Sequence, residues 1–504
     1  MRVALLDRFF DLLDRASQWG VHPDYRKEPA ASRLIGKMLT PPYLYLPMVQ
    51  HSGAPARPIV KVGDAVLAGQ MLAEAGGNIS APVHAPAAGI IEAIGPRVAP
   101  HPSGLKVETI TLKVTGSESI DYPVCEDPFS LSPEEMSRRV EAAGVVGMGG
   151  ATFPSAPKLH LGRRMAVHTL VINGGECEPY LSCDDRLMQE RAEGVIEGVR
   201  LIAVMVGAGR ILIGIEDNKP IALKAMQQAA ERFPNITVQG VPTRYPMGSG
   251  EQLMSWLTGK ELPAGARMAS IGVLVHNVGT AYAIHRALRF GEPLMRRIVT
   301  VAGRAVRQPR NIEVPIGTPV RALIEFCGGL TEEPMRLVMG GPMMGMTLPS
   351  LDAPVIKGCS GVLALTAAEC GETDEQDCIR CGACARVCPL HLMPLDMAAS
   401  VRAGDLEGAA RLGLEDCLTC GACAYICPAH LPLSHYFDFA KGERWANEQV
   451  QRQNELIKQT TEAKRQRLAR ELAERRAEMA RRKAQQEAEK AAAVQAAEQQ
   501  ESTQ

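Results

Sequence analysis

Eight cysteines between Cys378 and Cys427 fall into two runs with one spacing. The first is Cys378, Cys381, Cys384 and Cys388-Pro389; the second is Cys417, Cys420, Cys423 and Cys427-Pro428. Three thiolates separated by two residues each can wrap one [4Fe–4S] cubane corner by corner. The small pairs Gly382-Ala383 and Gly421-Ala422 let the backbone approach the sulfides. The fourth cysteine begins a helix that points the other way, so it reaches the neighbouring cluster. The expected ligand sets are therefore Cys378, Cys381, Cys384 and Cys427 for one cluster, and Cys417, Cys420, Cys423 and Cys388 for the other. Zinc uses tetrahedral sets drawn from two CxxC pairs, which this duplicated triple is not. The remaining cysteines (Cys125, Cys177, Cys183, Cys327, Cys359 and Cys370) are scattered, and most are expected to be buried as small apolar side chains.

Two clusters need a source of electrons. Upstream, residues 144–158 read GVVGMGGATFPSAPK, a dense glycine loop ending in Lys158. Glycines allow positive φ and close approach of backbone N–H groups to a phosphate, and Lys158 adds a positive charge. The loop is neither a Walker loop nor a strict GxGxxG, and composition alone leaves a plain turn open. It resembles, however, the G-x-G-G-A-G-F-P-T-x-x-K loop of the flavin- and NADH-binding subunit of respiratory complex I. Residues 173–180, NGGECEPY, are similar to the N-x-x-E-x-E-P element that follows in that family. Residues 245–251, YPMGSGE, and 276–280, HNVGT, have counterparts in the same order. The set is closer still to the RnfC/RsxC family of the Rnf (Rsx) electron-transport complex, over about residues 20–440.

That resemblance implies roles residue by residue. Gly147, Gly149, Gly150 and Lys158 would cradle the phosphate and edge of FMN, and Phe153 would stack on the adenine of NADH. Asn173, Glu176 and Glu178 would hydrogen-bond flavin and the nicotinamide ribose; Tyr245, Gly248, Asn277 and Thr280 would complete the pocket. Three positions depart from the family: Thr152 stands for a loop glycine, Gly175 for an aspartate of complex I, and Glu251 comes one residue late. No general acid or base is implied.

The elements that must position these residues differ along the chain, and the reading is a multidomain α/β protein. Residues 1–37 form a leader, in which 3–16 make an amphipathic helix with an acidic polar face. Residues 38–118 carry strand-like runs broken by Gly and Pro and resemble the barrel-sandwich of biotinyl and lipoyl carrier domains, without their lysine at residues 74–80. His84 and His101 read there as polar loop residues. Residues 119–290 alternate short apolar strands (169–172, 211–215) with helical stretches (186–204, 221–232), predicting a flavin/NADH domain on a mainly parallel sheet. Residues 291–365 return to strands and turns, as in a β-grasp (SLBB-like) module, and 366–440 hold a ferredoxin-like two-cluster helical unit. From 441 to 504 the chain is rich in Ala, Glu, Gln, Lys and Arg, predicting a solvated helical tail whose last residues are disordered.

The 504 residues carry a net charge of −1, which offers nothing to nucleic acid. No stretch is long and apolar enough to cross a bilayer, and the N-terminus lacks a secretory cleavage site. The cysteines are accordingly expected as thiols or ligands in a reducing cytoplasm. The expectation is an NADH-oxidising, FMN- and iron–sulfur-containing subunit. The resemblance implies that it lies peripherally on the cytoplasmic side of the bacterial inner membrane, with the partner subunits of an ion-translocating complex. Two alternatives stay open: a non-catalytic iron–sulfur relay, and a relative of flavin-dependent cobalamin reductases.

Overall fold

The computed structural model describes residues 19–371 and 374–501, with side chains through residue 494. The amphipathic stretch 3–16 lies outside the described residues. The chain divides into two compact units, Met1–His435 and Tyr436–Gln504.

In the first unit, an antiparallel sheet runs in the order Tyr43–Pro47, Lys106–Gly116, Ala88–Val98, Ala65–Val66. A second antiparallel sheet joins Arg57–Pro58, Met71–Glu74 and Val83–His84. Leu44, Leu46, Leu72, Ile91, Ile110 and Leu112, drawn from both sheets, are fully buried and share one core cluster. His84 is buried in the strand Val83–His84 rather than lying in a loop, and Val83 beside it is buried as well, so both faces of this strand are covered.

The next region carries a four-stranded sheet in the order Ile236–Val241, Arg210–Glu216, Thr169–Gly174, Val273–Asn277, with every pairing parallel. The last three of these strands are almost wholly buried, as a sheet covered by helices on both faces requires. The helical stretch expected at 186–204 is two helices, Cys183–Glu190 and Ala192–Val206, because Arg191 leaves helical geometry at φ −139°, ψ 33°. In such sheets ligands sit beyond the carboxyl ends of the strands. Here those ends bring Asn173 and Asn277 side by side on adjacent strands.

A mixed six-stranded sheet follows, in the order Gly36–Lys37, Arg310–Pro315, Arg296–Ala302, Gly361–Leu365, Arg336–Met339, Met346–Thr347. Its first strand comes from the leader and pairs parallel with Ile312 and Glu313. The cysteine-rich region contains only short helices, among them Ala383–Arg386 and Ala422–Tyr425. The two runs repeat one backbone course: Arg380 and Thr419, Gly382 and Gly421, and His391 and His430 all have positive φ between 48° and 77°.

The second unit is formed by a single helix. The helix begins at Leu433, upstream of the expected 441, and runs to Glu501; the last residues, 502–504, where the disordered end is expected, lie outside the described residues. Pairs such as Glu448 with Arg452 and Glu478 with Arg482 line its exposed face, the i,i+4 pattern that supports solvated helices.

Candidate functional site

The glycine loop is a closed turn. Val146 and Pro154 pair across it, and Gly147 N–H donates to the Phe153 carbonyl at 2.8 Å. The helix Ser155–Arg164 starts directly after it. Gly150 needs its lack of a side chain, at φ +129°, and a Cβ on Gly149 would meet Cβ of Asn277 at 3.0 Å. The loop is pinned from behind: Ser52 Oγ donates to the Ala151 carbonyl at 2.5 Å and Ser52 N–H to the Thr152 carbonyl at 3.2 Å. Thr152 itself sits at φ +50°, a conformation a glycine would take freely. Met148 N–H donates to Thr280 Oγ1 at 3.0 Å, which ties the loop to the start of helix Val278–Phe290.

Three further segments converge here. Asn173 Nδ2 donates to the Gly248 carbonyl at 2.8 Å, and its Oδ1 accepts from Gly175 N–H at 2.9 Å. The approach is close enough that a Cβ on Gly248 would lie 2.6 Å from the Gly175 carbonyl oxygen. Asn277 caps its helix by accepting from Gly279 N–H at 2.7 Å, and its amide donates to Asp184 at 2.6 Å. Lys158 directs its ammonium to the Val275 carbonyl, and burial lowers its pKa to about 8. Phe153 is half-buried.

The two acids of the 173–180 segment are already engaged. Glu176 is buried, and its carboxylate accepts from Asp184 N–H at 3.0 Å, Asp185 N–H at 3.3 Å and the Cys183 thiol at 3.3 Å. It thus caps helix Cys183–Glu190, where a negative charge meets the positive end of the helix dipole. Glu178 accepts from Met343 N–H at 3.0 Å and Met344 N–H at 2.8 Å in the Gly340–Gly345 turn. Burial, outweighing those two hydrogen bonds, raises its carboxyl to about 7. Burial also raises Glu176, against the pull of Lys27.

Sequence reasoning missed the group that holds this segment. Lys27 is a buried lysine whose ammonium donates to the carbonyls of Glu176 and Glu178, both at 2.7 Å, and of Leu181 at 2.5 Å. It lies 149 residues away from Glu176 in the chain, so no local pattern could mark it. Cys177 and Cys183 are buried, as expected for scattered cysteines, and so are Cys327 and Cys359; Cys125 and Cys370 are half-buried.

Tyr245 links this region to the cysteine runs. It is fully buried, and its hydroxyl donates to the Cys420 carbonyl at 2.6 Å. Val21, Cys177, Tyr245, Cys420 and Ala422 form one apolar cluster, against which Met343 and Val387 pack. Gly20 N–H donates to the Val387 carbonyl at 2.8 Å, and Gln252 Nε2 to that of Pro389 at 3.0 Å. Within the runs, burial raises Cys384, with Cys427 and Cys381 adding like charge. Burial also raises Cys423, with Cys420, Cys417 and Cys388 adding to it. Cys427 thus lies near Cys384 of the first run, and Cys388 near Cys420 and Cys423 of the second. Among the described residues no three Cys, His, Asp or Glu side chains converge tightly enough for a single metal ion. Cys388 and Cys420 are buried, whereas Cys378 and Cys381 are exposed.

A cavity of about 680 Å3 opens beneath the glycine loop, a size that suits a small-molecule ligand. Met148, Asp184 and Gly279 line it on the α/β side, and Arg296, Arg297 and Glu313 on the side of the mixed sheet.

Comparison with known proteins bears on this arrangement. Residues 16–117 match the model of the RnfC barrel sandwich hybrid domain, and 140–286 that of the Nuo51 FMN-binding domain. Residues 298–347 match the SLBB domain and 377–431 the 4Fe-4S dicluster domain. The RnfC protein of Rhodobacter capsulatus, from an ion-translocating oxidoreductase complex, is 50% identical over 446 residues, 88% of this chain and 86% of that one. The chain belongs to the RnfC family of ion-translocating oxidoreductase complexes. The RnfC protein of Haemophilus influenzae (strain 86-028NP) is 41% identical over 454 residues, 90% of this chain and 68% of that one. Among solved structures, an NAD+-reducing [NiFe]-hydrogenase in the H2-reduced state aligns with a TM-score of 0.45 at 20% identity, covering 61% of this chain and 60% of that one. As an RnfC-type subunit, the chain has an FMN-binding type of domain and a 4Fe–4S dicluster type of domain, and among its described residues no helix is long and apolar enough to cross a membrane. The residues present fit both groups. The glycine loop leaves room where a Cβ would intrude, a cavity lies beneath it, and thiols of the two runs come near one another, Cys427 to Cys384 and Cys388 to Cys420 and Cys423.

Proposed function

We propose that this subunit is the NADH-oxidising, electron-input member of a membrane complex coupled to ion translocation, lying peripherally on the cytoplasmic face of the bacterial inner membrane. Its partners are the other subunits and NADH. The observation that carries the reading is the hydrogen bond from Tyr245 to the Cys420 carbonyl. It joins the segment that would close a flavin pocket to a segment that would ligate a cluster, with no intervening domain.

FMN, when bound, converts a two-electron hydride donor into single electrons that iron–sulfur clusters accept. The chain's own residues position the partners. Gly147, Gly149 and Gly150 present backbone to the cofactor, with Lys158 nearby; Asn173 holds Gly248 against the same pocket. Asn277 and Thr280 tie Asp184 and the glycine loop to the start of helix Val278–Phe290, and Phe153 offers a ring at the loop's edge. Glu176 and Glu178 shape the nicotinamide side through the backbone they organise. Two cubanes would be held, one by Cys378, Cys381, Cys384 and Cys427, the other by Cys388, Cys417, Cys420 and Cys423.

Anaerobically reconstituted protein should bind FMN, and NADH should then bleach the flavin and reduce ferricyanide. Failure to bind FMN together with absent dye reduction sinks the proposal. One observation favours a second reading, the non-catalytic relay: the carboxylates of both Glu176 and Glu178 are committed to backbone N–H groups. A relay keeps its cluster signals in electron paramagnetic resonance yet shows no NADH-dependent bleaching, so the same preparation separates the two. In either case Cys388→Ser and Cys417→Ser should abolish one and the same cluster signal, and Cys427→Ser and Cys378→Ser the other. Pairing of Cys388 with Cys378 instead would refute the crossed assignment.

A further inference from the structure

Arg297 is an arginine in an unusual place. It lies on the strand Arg296–Ala302 of the mixed sheet, outside the matched FMN-binding domain, and is 6% exposed. Its Nε donates to the Cys359 carbonyl at 3.2 Å, and its Nη1 contacts Met148 Sδ in the glycine loop. No carboxylate lies within ion-pair distance of it among the described residues. Of the other arginines of the cavity, Arg191 pairs with Glu313 at 2.8 Å and Arg286 with Glu292 at 2.5 Å, whereas Arg296 donates to the carbonyls of Met38 and Glu313 and its buried Nε has no hydrogen-bond partner. The acid that faces Arg297 is Asp184, whose Oδ2 also accepts from Asn277 Nδ2. A guanidinium is always charged, and leaving one buried without a counter-charge is costly. Apart from Asp184 its partners are a thioether and one carbonyl, and the cavity is lined by five basic side chains (Lys37, Arg191, Arg286, Arg296 and Arg297) against three acidic ones (Asp184, Glu292 and Glu313), an excess that an entering anion would offset.

We propose that Arg297 is the phosphate-directed cation of the flavin site, a positioning charge that the mixed-sheet module reaches across to the glycine loop. The inference rests on the FMN reading above. Three observations meet at this point. The side chain touches Met148, whose N–H is bound to Thr280 at the start of helix Val278–Phe290. Gly279, in the first turn of that helix, lines the same cavity, with Tyr282, Ala283 and Arg286 along the same flank. Lys158, the charge that the loop sequence itself supplies, has an ammonium already directed at the Val275 carbonyl. A planar guanidinium is also the better match to a phosphate, which it can engage through two parallel N–H groups. An arginine so placed makes the site specific for the phosphorylated flavin and makes flavin affinity depend on how the two modules dock.

The test compares FMN with riboflavin, which has the same ring and lacks the phosphate. The full chain, with its clusters assembled and free of flavin, is titrated with each by fluorescence quenching. Wild type should bind FMN the more tightly. Arg297→Gln should weaken FMN by about tenfold to a hundredfold, the worth of a charge-assisted hydrogen bond, and leave riboflavin unchanged, so the preference collapses. Arg297→Lys keeps the charge, loses the fork and should weaken FMN alone by a few-fold, which decides the matter if circular dichroism shows the Gln variant unfolded. Equal losses for both flavins, or an unchanged ratio in the variants, would overturn the role of Arg297 while leaving the FMN reading intact. A wild type that binds neither flavin would instead overturn the FMN reading and this inference with it.

Discussion

Glu178 shows how one side chain can be read twice. Its place in a segment similar to a nicotinamide-binding element gives it one role; its two hydrogen bonds from Met343 and Met344 give it another, holding the mixed-sheet module against the α/β domain. Burial raises its carboxyl from the ordinary value to about 7, so between those values the folded state binds more protons than the unfolded state. Its contribution to stability is therefore full at low pH and declines as pH rises toward 7. Glu178→Gln removes the titration, so its melting temperature relative to wild type should rise between about pH 5 and pH 8. A difference that stays flat, or falls, over that range would contradict the assigned burial. Tyr245 makes a second test among single side chains. Tyr245→Phe keeps the ring in its apolar cluster and deletes only the donor to Cys420. It should cost about 1 kcal/mol in chemical denaturation, the net worth of one buried hydrogen bond. It should also alter the resonance spectrum of the cluster ligated by Cys420 more than that of the other.

The elements carry the site because they pack without slack. Helix Ala192–Val206 crosses helix Val278–Phe290, whose first turn holds Thr280. At the crossing, a Cβ on Gly198 would lie 1.8 Å from the backbone carbonyl oxygen of Ala281. Backbone cannot move aside as a flexible side chain would. Gly198→Ala should therefore destabilise the protein by about 3 kcal/mol or more, beyond the usual cost of overpacking, as read from the denaturation midpoint. Since Ala281 follows Thr280, FMN affinity should fall in the same variant. Normal stability in Gly198→Ala would mean that the two helices do not approach this closely. The parallel sheet acts in the same way: adjacent strands end at Gly174 and Asn277, so two distant loops meet without any contact of their own being strong.

Across the full length of the chain, the first unit is held by long-range polar struts. Lys27 binds three carbonyls of the 176–181 segment, and Lys357, fully buried, donates to Pro82 and Gly144 at 2.6 and 2.7 Å. The second struts the carrier-like sheets, the glycine loop and the mixed-sheet module against one another. The second unit has no such demands. Its helix is exposed from Gln451 through Val494 and has few apolar residues on any face. Truncation after Asn454 should reduce the helical signal in circular dichroism roughly in proportion to the residues lost and leave the melting temperature of the remainder within about 1 °C, in line with surface changes of under about 0.5 kcal/mol. A large drop would assign the tail a stabilising role.

What is local could be read from the residues in order. The cysteine runs mark a 4Fe–4S dicluster type of domain, because ligand spacing is a property of a dozen consecutive residues, and the proposed crossed sets come from the direction such a chain takes after each third thiol. Short apolar runs alternating with helical stretches mark the parallel sheet, since burial on both faces leaves that pattern in any such strand. Glycine density marks the loop 147–153. The purpose of the buried charges, by contrast, came only from the folded arrangement. That Lys27 clamps an acidic segment, that Glu176 caps a helix, that Arg297 stands beneath the glycine loop and that Tyr245 reaches Cys420 are contacts made by the closing of the fold, most of them between residues more than a hundred positions apart. Nothing in local composition encodes such pairs. They arise when separate modules close on one another, and a buried charge must then take whatever partner the closure brings.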